Sequence, residues 1–168
     1  MRIYAKASLD AGEIREKIRC GCDGIEYNLT EEFLHLGEGF EENYPEEIFF
    51  LKNVEAVHVP WINGQMMNME HIFQHEDLRP IENVFRLAAY CADIWKHRML
   101  VVIHSSLSMY DFMEYELFRR RLEGALGELF DRYPQVDMAI ENVIPLEYKH
   151  SAEEAPRLCN GIFTDIPE

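Results

Sequence analysis

Segments apolar at consecutive positions alternate, along this chain, with segments of helical period, and no other feature restricts the fold as much. "MLVVI", Met99 to Ile103, carries no polar residue at all. A strand with one wet face alternates apolar and polar side chains. A strand apolar at every position is covered on both faces, the condition of parallel sheets flanked by helices. Strands separated by helices pair in parallel through right-handed crossovers. The expectation is therefore an α/β fold.

The elements follow in order. "RIYAKAS", Arg2 to Ser8, reads as a first strand. Asp10 and Glu13 have the spacing of an N-cap and its reciprocal carboxylate, which predicts a helix over Ala11 to Cys20 stopped by Gly21. "CDGIEYNL" holds a second strand, a short helical piece starts near Thr30, and "GEGFEENYPEE" is an acidic loop. "VEAVHVP" is a third strand, followed by an irregular stretch from Trp61 to Pro80. Ile81, Val84, Phe85, Ala88, Ala92 and Trp95 then fall on one helical face. "MLVVIHSS" is the fourth strand, Phe118 to Tyr133 an amphipathic helix ended by Pro134, and "VDMAIENV" the fifth strand. Ser151 and Glu154 resemble a capping box for a short helix to about Cys159, and "GIFTDIPE" resembles a sixth strand. No boundary divides residues 1–168, which read as a single domain.

The ends of these strands carry the chemistry. In parallel α/β architectures the carboxyl ends of the strands form the ligand site. Here those positions hold Glu26 and Asn28, His58, His104, Glu141 and Asn142, and Asp165. Buried strands more often end in turn residues. One histidine at a strand end is ordinarily a hydrogen-bonded structural residue; several metal-capable side chains at successive strand ends form a constellation. Two imidazoles with carboxylates suit a borderline divalent cation, zinc or manganese, which polarises a substrate oxygen or acidifies a bound water. Glu141 is placed either to ligate that ion or to move a proton. Glu26 reads as a residue lining the mouth or held in an ion pair, Trp61 as core or as a substrate contact. His71 and His75 share a face if helical, but they lack a third ligand.

Charge narrows the partners. The net charge of −15 repels polyanions, and "FRRRLEG" is the one dense basic stretch, so nucleic acid is not the favoured partner. No apolar run reaches the roughly 20 residues that span a membrane. "MRIYAKASLD" has no apolar signal core, and the four cysteines form no disulfide framework. The expected location is the cytoplasm, with reduced thiols.

"DGIEYNL", "VHVPW", "VVIHSS" and "AIENV", in that order and spacing, resemble the xylose isomerase-like TIM-barrel superfamily, which holds sugar isomerases and epimerases beside endonuclease IV-like nucleases. The resemblance implies a (β/α)8 barrel with His58, His104 and Glu141 in a divalent-metal site. The family's D-x-x-H on strand six is matched by "DIPE", which keeps Asp165 as a ligand and puts Glu168 where the histidine stands. Such a barrel takes about 250 residues, so roughly six of its eight strands are expected here. The remaining ligands, a second glutamate included, belong to later strands. An incomplete barrel has open edges, which predicts pairing with a second copy of the chain.

The function expected from this resemblance is that of a metal-dependent sugar or sugar phosphate isomerase or epimerase. Glu141 would be catalytic, with Glu26, Trp61 and Asn142 as substrate contacts. The alternatives are an endonuclease IV-like phosphodiester hydrolase and a non-catalytic barrel fragment that acts through assembly.

Overall fold

A computed structural model describes residues 2–34, 36, 39–62, 65–66, 78–104 and 115–141. In chain order these form β1 (Tyr4–Ala7), α1 (Ala11–Arg19), β2 (Gly24–Asn28), α2 (Glu31–Leu34), α3 (Phe40–Asn43), a 3-10 turn (Glu46–Phe50) and β3 (Val54–His58). Then come the short β4 (Trp61–Ile62) and β5 (Gln65–Met66), α4 (Arg79–Trp95), β6 (Met99–His104), α5 (Tyr115–Arg132) and β7 (Val136–Glu141). The sixth strand and the helix expected near Ser151 lie outside the described residues.

The architecture is α/β. Five strands form one parallel sheet in the order β1-β2-β3-β6-β7, each new strand added beside the last with no reversal. β4 and β5 pair antiparallel as a separate hairpin inside the stretch that reads as irregular, because two-residue strands are too short to leave a periodic pattern.

Local chemistry explains the helix ends. The Asp10 side chain accepts from the Glu13 backbone N–H at 2.7 Å, as an N-cap should. The reciprocal bond goes elsewhere: the Glu13 carboxylate accepts from the Ser8 backbone N–H at 3.0 Å and from the Ser8 hydroxyl, so it ties the end of β1 to α1. This holds the Glu13 carboxyl below its ordinary range. At the other end Gly21 has φ +88°, with Gly21 N–H bonded to Ile18 O and Cys22 N–H to Lys17 O, a Schellman motif that only glycine enters without strain.

One face of the sheet is packed under the helices. Tyr27, Val57, Met99, Val101 and Ile103 are fully buried there, and α4 lies against β3, β6 and β7. An aromatic cluster fills the space between. Phe49 stands edge-on to Tyr27 and Tyr90, with centroids 6.3 and 5.2 Å away, and Trp95 donates its Nε1–H to the Phe49 carbonyl at 3.2 Å. The buried Tyr27 hydroxyl is satisfied by the Ile48 carbonyl at 3.2 Å.

The opposite face is different. Leu100 and Val102 alternate with the buried residues of β6 and are only half-buried, as is Ala139 of β7. Ala56, His58 and His104 are buried on this same face, so among the described residues its burial is partial where the sequence predicts cover throughout. The open face carries the polar residues that follow.

Candidate metal centre

Partners in a parallel register share a face, so the pairs Lys6 with Glu26, Asn28 with His58, and His104 with Glu141 all project to the open side. For His58 this depends on one irregularity. Ile25 pairs with Val54, but Glu26 pairs with Ala56, so Glu55 is an extra residue in β3. Without it the same starting register would put Val57 opposite Asn28 and turn His58 under the helices.

The result is a chain of polar contacts in which each of the five strands supplies one residue. Lys6 Nζ lies 3.1 Å from Glu26 Oε1, and Glu26 Oε1 lies 2.6 Å from His58 Nδ1. On the far side of its ring, His58 Nε2 lies 3.0 Å from His104 Nε2 and 3.3 Å from Glu141 Oε2. His104 Nε2 to Glu141 Oε2 is 3.7 Å, and the two imidazoles tilt at 42° with centroids 4.8 Å apart.

These three donor atoms fit a cation. A tetrahedral zinc with bonds of roughly 2.0–2.1 Å separates its ligand atoms by about 3.3–3.4 Å. The triangle of 3.0, 3.3 and 3.7 Å brackets that edge. Among the described residues the cluster offers three protein ligands, the number that a catalytic zinc site takes from its protein. The two histidines are 3% and 4% exposed, whereas the Glu141 side chain is 46% exposed, so the open side of the cluster lies towards the glutamate. His58, His104 and Glu141 can thus hold a metal ion.

Glu26 sits one step behind. The His58 ring first, and then Lys6, hold its carboxyl below the ordinary range against the opposing effect of burial. Its observed partners are these two side chains. Lys6 is the residue that sequence reading misses. It lies in a strand otherwise read only for its apolar content, and its relevance depends on pairing with Glu26 across two strands. Trp61 begins β4 three residues after His58, but its side chain lies outside the described residues, as do Asn142, Asp165, His71 and His75. A small open cleft, lined by Ser8, Leu9, Asp10, Leu29, Thr30 and Tyr44, lies at the carboxyl ends of β1 and β2.

Cys20, Cys22 and Cys91 are free thiols, and burial pushes the Cys91 thiol well up, away from thiolate reactivity. No helix among the described residues is long and apolar enough to cross a membrane. Comparison with protein-family models, with curated proteins and with solved structures returned no match.

Proposed function

We propose that this chain is a divalent-metal-dependent protein of the sugar or sugar phosphate isomerase and epimerase kind, built on a TIM-barrel type sheet. The observation that carries the reading is the convergence of His58, His104 and Glu141 from the carboxyl ends of three adjacent parallel strands. Two further features support it. Among the described strands, a sheet that adds each strand on the same side has no switch point of the doubly wound kind, and its polar face would be the interior of the proposed barrel. The cleft at the carboxyl ends of β1 and β2 lies at the end of the sheet where parallel α/β proteins bind their ligands.

His58, His104 and Glu141 would hold the ion, zinc or manganese, which when bound would polarise a substrate oxygen. Glu141 is the exposed member and so the one that reaches a substrate carbon. It moves the proton next to the carbonyl, while the buried histidines fix the geometry. Completion of the barrel by further strands or by a second copy supplies the opposite wall.

The test is metal uptake joined to proton exchange. Native mass spectrometry with zinc or manganese should show one ion per chain. The loaded protein should exchange a C–H next to the carbonyl of a sugar or sugar phosphate with solvent deuterium, and Glu141→Gln should stop the exchange. A loaded chain that exchanges no substrate but cleaves abasic-site DNA would replace this reading with the nuclease one. A stable metal-free oligomer would replace it with assembly.

A further inference from the structure

His58 Nδ1 has two close neighbours, and they make opposite demands. Glu26 Oε1 at 2.6 Å is an acceptor and needs a proton on Nδ1; Lys6 Nζ at 2.8 Å is a donor and needs a lone pair there. The two demands are unequal. If Nδ1 were bare, its lone pair would face a carboxylate oxygen at 2.6 Å with no hydrogen between them. If Nδ1 carries the proton, that contact becomes a short charge-assisted bond, and the ammonium can aim its hydrogens at the same carboxylate 3.1 Å away. The proton therefore belongs on Nδ1.

Resting on the metal-centre reading above, we propose that Glu26 is a positioning residue: it takes the Nδ1–H of His58 and so keeps the Nε2 lone pair aimed at His104 and Glu141. Lys6 anchors Glu26 in that role. A neutral imidazole has one bare nitrogen, and only with Nδ1 protonated is that nitrogen the one in the cluster. Carboxylates behind ligating histidines fix tautomer and ring orientation and raise ligand basicity; removing them typically weakens metal binding about 10–100-fold. The position of Glu26 suits this. It is one strand away on the same face, and its side chain is 23% exposed against 3% for His58, so it reaches the ring from the wetter side.

The experiment uses Zn²⁺ alone as probe, in competition with a chromophoric chelator, together with ¹⁵N-imidazole NMR of the zinc-free protein. His58→Ala should lose zinc. Glu26→Ala should weaken it about 10–100-fold, and Glu26→Gln by much less, since the amide oxygen still accepts the Nδ1–H. In the NMR spectrum His58 should carry its proton on Nδ1 in the wild type and shift it to Nε2 in Glu26→Ala. Zinc affinity unchanged in Glu26→Ala while His58→Ala loses it would overturn this inference alone, as would a wild-type His58 protonated on Nε2. A wild type that takes up no zinc would overturn the metal centre and this inference with it. Should Glu26→Ala lose its far-UV helix signal, the Glu26→Gln titration and the wild-type tautomer still decide the matter.

Discussion

Ile103 and His104 are consecutive residues of β6, both almost fully buried, and they do opposite work. Ile103 faces the helices, where an aromatic and aliphatic core closes over the sheet. His104 faces the open side, where its Nε2 shares a small volume with another imidazole and a carboxylate. The same contrast runs through every strand: Tyr27 against Glu26, Val57 against His58, Ile140 against Glu141. Burial of apolar area stabilises the first set. The second set gathers lone pairs and charges, and within it His58, His104 and Glu141 bring three ligand atoms together that a cation would join. The helix face holds the sheet together, and the open face is free to be shaped for binding.

The largest expected effect tests the helix face. Ile103→Ala should cost about 2–5 kcal/mol in denaturant unfolding, the range for truncating a fully buried isoleucine, with zinc affinity unchanged in the folded fraction. The double replacement His104→Ala with Glu141→Ala should do the reverse. It should abolish metal uptake by native mass spectrometry and cost less stability than Ile103→Ala. With zinc at 100 times its Kd the wild type should gain about 2.7 kcal/mol and the double variant none. Metal retained in that variant, or a larger loss of stability than Ile103→Ala causes, would break the comparison.

A smaller effect concerns pH. The Glu26 carboxyl is held below its ordinary 4.5 in the folded chain, by His58 first and Lys6 next. A depressed carboxylate contributes stability that is present above its unfolded value and lost as pH falls through the folded one. Wild-type stability should therefore decline on acidification below about pH 4.5, and Glu26→Gln should flatten that limb in denaturant midpoints taken at descending pH. Equal slopes would show that the open face makes no such contribution. The smallest effect is expected at Gly24, where an added Cβ would lie 2.8–2.9 Å from the Tyr4 ring. That ring is exposed and can swing away, so Gly24→Ala should change stability by less than about 1 kcal/mol. A crowding of this size on the helix face would not be relieved so easily.

Much of this molecule can be read from its residues in order. The unbroken run before His104 predicts a strand, the Ile81 to Trp95 spacing predicts α4, and Asp10 and Gly21 bound α1, because each rests on contacts within a few residues. His58, His104 and Glu141 were marked by their chemistry at strand ends, and they converge as expected. The 3-10 turn of Glu46–Phe50 and the β4–β5 hairpin were not marked, being too short for a period to show. Nor was Lys6, whose partners are 20 and 52 residues away.

The sequence alone determined which residues could form strands and helices, and which side chains stood ready to bind a cation. Only the tertiary structure decided which way they point. His58 reaches the open face because Glu55 is spare in the pairing of β2 with β3; that same pairing sets Glu26 on the face of His58, and the β1–β2 register brings Lys6 to Glu26. Alternation is a property of one strand. The face it lands on belongs to the pairing of two strands, and no local pattern encodes that.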